Sequence, residues 1–247
     1  MTKSGIILLF LNLLIADDPS TIFKQANIYA EKANYQKAIE KYESLIDMDY
    51  ESGALYYNLG NSYYRSDQLG LSLWAYYCSQ KLIPRDSDLL HNLKVAKAKC
   101  LDRIEFPNSF FPFDFFRELD NSFKINELFL FGSLLILIFS FLRIMKKTMW
   151  LSTDASKNLN AILVIVIFMV HSLAFRKYFI DYKIKYGVVI TNSVKVLSGP
   201  NNSQSSILFV ANEGLKVKIN SIKDKWIEVE LIDGKKGWLH FSSIREI

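Results

Sequence analysis

The sequence is poor in the side chains that carry most acid–base and metal chemistry. Only three histidines occur in 247 residues. His91, His171 and His240 lie far apart, on segments of quite different character. Their placement implies no Cys–His or Ser–His–Asp set, and no two ligands have a zinc-type spacing. A glycine-rich phosphate loop is missing too. These absences argue against hydrolase, metal-dependent and nucleotide-binding activities. No catalytic residue, metal or cofactor is therefore expected, and the chain reads as non-enzymatic. Cysteine is scarcer still, with Cys78 and Cys100 alone. If their helices pair antiparallel about Pro84 to Ser87, Cys100 lies roughly 10 Å further along the axis than a residue facing Cys78. That exceeds the ~7 Å Cα limit for a disulfide, so both read as packing thiols.

Formal charge is also absent from two apolar runs, Leu128 to Leu142 and Leu159 to Phe175. At ~1.5 Å per residue each covers roughly 25 Å of a hydrocarbon layer about 30 Å thick. Arg143, Lys146, Lys147, Lys157, Arg176 and Lys177 flank them, with apolar stems and heads that reach water. Runs so uniformly apolar lack the polar stripe of a soluble helix, so two membrane spans are expected. His171, inside the second run, reads as hydrogen-bonded to a neighbouring helix or headgroup, with a proton or ligand site as the alternative. The net charge of +5 is modest and concentrated around these runs. That suits membrane flanks rather than a nucleic-acid face.

The first sixteen residues carry one lysine and an eleven-residue apolar core, Gly5 to Ile15, followed by Asp17 and Asp18. Too short to span, this stretch suits an export signal. From Thr21 to Glu105 the pattern is helical and repeats. Ala26, Tyr29, Ala38, Tyr42 and Leu45 return 34 residues later as Gly60, Tyr63, Ser72, Tyr76 and Ser79. With Tyr56, Leu59 and Pro84 completing the second copy, the segment resembles the tetratricopeptide repeat, a helix–turn–helix unit. Asn58-Leu59 recurs as Asn92-Leu93, but Lys94 takes the small-residue position, so Ser87 to Ile104 reads as a capping helix. In such an array the inner groove falls on the first helix of each repeat. That places Phe23, Asn27, Tyr57, Asn61, Tyr64 and Arg65 there, with His91 on the cap, as candidate partner-binding residues for an extended peptide. A solvated helix face without ligand is the alternative.

Phe106 to Asn121 is dense in phenylalanine and reads as a belt at headgroup level. After the second apolar run the period changes to two, with turns at Ser198-Gly199-Pro200-Asn201 and Asp233-Gly234. About five short strands within some 60 residues imply a small all-β barrel. Gly214, Trp226, Gly234, Gly237 and Trp238 fall in an order similar to the bacterial SH3-like domain, although Leu197-Ser198 stands where that family usually has Arg-x. Tyr186, Trp226 and Trp238 are its candidate surface, for wall peptide or glycan, with core or rim packing as the alternative.

The expected organisation is a multidomain membrane protein: an α-solenoid of tetratricopeptide repeats, a two-helix transmembrane hairpin and a small all-β SH3-like barrel. Its parts are a signal at 1–16, repeats with cap at 20–105, a Phe-rich interfacial linker at 106–124, spans at 125–145 and 158–176, a basic cytoplasmic loop at 146–157, a linker at 177–187 and the barrel at 188–247. Two crossings put both soluble parts on one side, and the export signal makes that side the periplasm. This order of parts resembles the BatE-type proteins of the bacterial aerotolerance (Bat) group. The resemblance implies a scaffold in the inner membrane acting with von Willebrand A-domain Bat membrane proteins and a MoxR-type ATPase, in envelope stress or aerotolerance. A peptidoglycan-binding wall sensor is the alternative.

Overall fold

The computed structural model describes residues 18–102, 115–116, 118–119, 122–148, 153–201 and 205–247. The expected signal and most of the Phe-rich linker lie outside these residues. Five helices form an array: α1 (Pro19–Glu31), α2 (Tyr35–Asp47), α3 (Gly53–Arg65), α4 (Leu69–Leu82) and α5 (Ser87–Ala98). Their starts carry the sequence period: α1, α3 and α5 begin at positions 19, 53 and 87, and α2 and α4 at 35 and 69, each step 34 residues. Local chemistry sets the ends. Ser52 and Asp86 accept the backbone N–H of Leu55 and Leu89 at 3.1 and 2.9 Å, capping α3 and α5. Ala33, Asp49 and Asp67 take positive φ in the three turns, and Tyr29, Leu45 and Tyr63 each accept a bond that closes the preceding helix.

The core of the array alternates small and aromatic residues. Tyr42, Tyr63 and Tyr76 are fully buried, and a β-carbon at Gly60 would lie 2.6 Å from the Tyr76 ring. The Ser72 hydroxyl donates to the Gly60 carbonyl at 2.9 Å, so these two helices meet almost backbone to backbone. Gly60→Ala is expected to cost about 2 kcal/mol, because the ring it strikes is hemmed in. Denaturant unfolding of the purified protein, followed by tyrosine fluorescence, measures it.

Two long helices follow, α6 (Ile125–Thr148) and α7 (Thr153–Lys183). Both are long and apolar enough to cross a membrane, over Ile125–Met145 and Asn158–Lys183. Little of either span is buried by the rest of the protein, 11% and 6%, unlike the core helix of a soluble domain. They pack on each other at Gly132, where a β-carbon would come 2.7 Å from the His171 ring. His171 Nδ1 bonds the Ile167 carbonyl at 2.8 Å, so the histidine is satisfied within its own helix. Both helices extend into the loop expected at 146–157. The linker expected at 177–187 is likewise absent: α7 runs to Lys183 and the first strand starts at Lys185. Pairs one turn apart sustain that helix, a Lys177–Asp181 ion pair at 3.2 Å and Tyr178–Tyr182 rings at 4.9 Å.

The remainder is one antiparallel sheet of seven strands: β1 (Lys185–Val189), β2 (Ser193–Leu197), β3 (Ile207–Asn212), β4 (Lys216–Lys223), β5 (Trp226–Glu230), β6 (Lys236–His240) and β7 (Ile244–Glu246). Their order is β3-β2-β6-β5-β4-β1-β7. Val189, Val196, Val217, Ile227, Val229 and Leu239 fill its inner face. The strands are two more than the five expected, because β1 and β7 pair at the end of the sheet nearest the helices.

The sheet is docked on the array. Trp74 on α4 donates its indole N–H to the Glu246 carbonyl at 2.7 Å. Arg245 stacks on the Trp74 ring at 3.6 Å and bonds Glu43 at 2.9 Å. Asp102 accepts both the backbone and the side-chain amide of Asn212, at 2.6 and 3.0 Å. Close approach requires glycine twice: a β-carbon at Gly70 would meet the Val189 carbonyl at 2.7 Å, and one at Gly214 would meet Cys100 Sγ and Leu73 at the same distance. Gly214 also has φ +86°, where a side chain is strained. Val188 packs into the core of the array itself.

Candidate functional site

The sheet covers the α2/α4 side of the array and leaves the α1/α3/α5 side open. There a groove of about 760 Å³ is lined by residues from all five helices. Of the seven candidates for it, Asn27, Tyr57, Asn61, Tyr64, Arg65 and His91 line the groove. Phe23 does not. Its ring packs on Tyr42 at 6.0 Å and lies partly buried against the core, because α1 is the first helix of the array and its apolar residues close that end.

Polar side chains in the groove form two equivalent triads. Asn27 Oδ1 accepts from the Tyr42 hydroxyl at 2.6 Å and from Asn58 Nδ2 at 3.0 Å. Asn61 Oδ1 accepts from the Tyr76 hydroxyl at 2.7 Å and from Asn92 Nδ2 at 2.9 Å. Members of the two triads are 34 residues apart throughout. Burial holds the Tyr42 and Tyr76 phenols well above their ordinary range, so both stay protonated donors. Each central asparagine thus has its oxygen fully used, while its amide N–H groups remain for something in the groove. Asn58 and Asn92 contribute carbonyl oxygens beside them. The result is alternating donors and acceptors in two copies, matched to the alternating N–H and C=O of an extended backbone.

Charge varies along the rim. Positions 31, 65 and 99 are equivalent by the same period and hold Glu31, Arg65 and Lys99. Lys99 Nζ lies 4.1 Å from the centre of the Tyr64 ring. The triad partners Asn58, Asn92, Tyr42 and Tyr76 were not among the candidate residues. Applying the 34-residue shift to polar as well as apolar positions would have found them.

The three candidate surface residues of the sheet do not form one site. Trp226 and Trp238 share an outward face, since Trp226 pairs with His240 and Glu228 with Trp238. The Trp226 and His240 rings meet edge to face at 5.9 Å. Tyr186 lies two strands away, in the seam with the array, where its ring is 4.9 Å from Lys216 Nζ. The outer side of β1, which alternation marks as solvent-facing, is the side that α4 covers.

Among the described residues, no three His, Cys, Asp or Glu side chains come together as a metal site. No protein-family model matches the chain, and neither does any curated protein.

Proposed function

We propose that this chain is a non-enzymatic, membrane-anchored scaffold whose helical array is a tetratricopeptide-repeat domain that binds an extended segment of a protein partner. The observation that carries this reading is the duplicated Asn–Tyr–Asn triad, which directs unused amide donors into an open groove. The 34-residue spacing of the helices supports the repeat assignment, and the antiparallel sheet with Gly214 at positive φ supports an SH3-like one. Anchoring rests on two helices of mean hydropathy 2.4 and 2.1 whose apolar side chains face outward. Because the sheet docks on the array, the chain must return to its starting side after the hairpin. With the export signal, that side is the periplasm of a bacterial inner membrane. The order of parts is that of BatE-type proteins, so von Willebrand A-domain Bat membrane proteins with a MoxR-type ATPase are the proposed partner system, in envelope stress or aerotolerance.

Replacing Asn27 and Asn61 by aspartate tests the groove. Aspartate keeps the oxygen that accepts from tyrosine and asparagine, and exchanges the ligand-facing donor for an acceptor. Peptides selected from a random display library on the full-length protein in detergent are expected to bind Asn27→Asp/Asn61→Asp about 100-fold more weakly, roughly tenfold per lost bond. Equal binding, or no peptide enriched by the wild type, refutes the proposal.

The outward Trp226, Trp238 and His240 favour a second reading, a wall-binding face on which sugar rings stack. Sedimentation with purified peptidoglycan that is lost in Trp226→Ala/Trp238→Ala would favour it.

A further inference from the structure

The open groove is tied to the hairpin at a defined height. Arg85, in the turn between α4 and α5, forks onto both carboxylate oxygens of Glu127, with Nη1–Oε2 at 3.1 Å. Glu127 Oε2 also accepts the backbone N–H of Lys124 at 3.0 Å, at the start of α6. The same guanidinium lies 5.8 Å from the Phe123 ring. An ion pair at the first turn of a span sits at headgroup level, since hydrocarbon disfavours both charges. Arg85 therefore marks the bilayer surface. A second tether agrees: α7 passes into β1 with only Ile184 between them, so the sheet is also held at the membrane.

Helix α5 starts at Ser87, two residues after Arg85, and Asn92 lies five residues further along it. At ~1.5 Å per residue that is roughly 7.5 Å of helix. The Asn61–Tyr76–Asn92 triad thus stands within about 15 Å of the headgroups. An extended chain leaving the bilayer covers that height in about five residues at ~3.3 Å each.

We infer that the occupant of the groove is the extended juxtamembrane segment of a second membrane-anchored protein, bound within about ten residues of that protein's own span. This rests on the groove reading above and narrows the partner to one class. Confinement in the same bilayer raises the effective concentration of such a segment to the order of millimolar, so two triads suffice where a free soluble peptide would bind weakly.

Photocrosslinking in native membranes tests it. Full-length protein carries p-benzoylphenylalanine in place of Tyr57 or Tyr64, and the adducts are washed with alkaline carbonate and mapped by mass spectrometry. The expected product is an integral protein joined within about ten residues of an apolar span. Adducts to carbonate-soluble proteins, or far from any span, overturn the inference and leave the groove reading standing. No adduct at either position overturns both. Arg85→Ala separates tethering from binding. It is expected to lower the adduct yield severalfold while leaving the affinity for display-selected peptides unchanged, and an unchanged yield overturns the role given to the clasp.

Discussion

Trp74→Ala is expected to release the sheet from the helical array while each keeps its own core. The indole is 4% exposed, and three contacts converge on it: an edge-to-face ring of Tyr56 at 5.8 Å, the Arg245 guanidinium at 3.6 Å and the Glu246 carbonyl at 2.7 Å. Truncating a buried tryptophan costs about 3–5 kcal/mol through lost burial and the cavity left behind. Here the lost contacts belong mainly to the seam. Tyr56 stays held between α3 and α4, whereas Arg245 loses the surface it lies on and keeps only Glu43 and Tyr63. Hydrogen exchange in detergent would therefore show protection lost first at Ile244–Glu246 and along β1, with α1 to α3 unchanged. Uniform loss over the whole head would mean that array and sheet unfold as one cooperative unit. Trp74→Phe restores the ring without the N–H and is expected to recover most of the stability.

The seam is also the part of the fold least legible in the sequence. Repeat period and hydrophobic alternation are local signals, and they located the helices, both spans and the change to strands. Contacts such as Gly70 with Glu213, Asp102 with Asn212 and Arg245 with Glu43 join residues more than a hundred positions apart across the hairpin. No spacing rule reaches that far, and each side chain alone reads as an ordinary solvated or core residue. Tyr186 shows the consequence. Alternation puts it on the outer face of β1, and only the position of α4 makes that face an interior one. Cys78 and Cys100 were legible as packing thiols, and both are free and buried. The groove was half legible. Helical geometry gave its floor on α1 and α3, but Tyr42 and Tyr76 enter it from the second helix of each repeat, where their aromatic character marks them first as core.

Lys216 should make the seam sensitive to pH. Its ammonium is enclosed by the rings of Tyr77 and Tyr186, at 4.4 and 4.9 Å, in a part of the seam that also holds Cys78. Burial, reinforced by the positive charges of Lys97 and Lys81, lowers its pKa from 10.5 to about 8. The unfolded chain then holds one more proton than the native one between about pH 8 and 10.5, and stability rises with pH across that interval. Below pH 8 both states are charged and the whole cost of the buried ammonium is present. Other groups act in the opposite sense. Burial pushes the Cys78 thiol up to about 12 from 9.0, so the unfolded chain loses that proton first and stability falls above pH 9. The buried tyrosines Tyr42, Tyr56, Tyr63, Tyr76 and Tyr77 add to the fall above pH 10. The wild-type profile therefore rises from pH 8 to 9, levels off and then declines. Comparison with Lys216→Met isolates the lysine, because the opposing groups are common to both proteins. The variant is expected to be more stable by about 2 kcal/mol at pH 7, a value discounted for the partial exposure of the stem, and the gap should close by about pH 10.5. Urea unfolding at half-unit pH steps measures it. A gap that is constant with pH would show that Lys216 titrates alike in both states, and that the two rings stabilise its charge as well as water does.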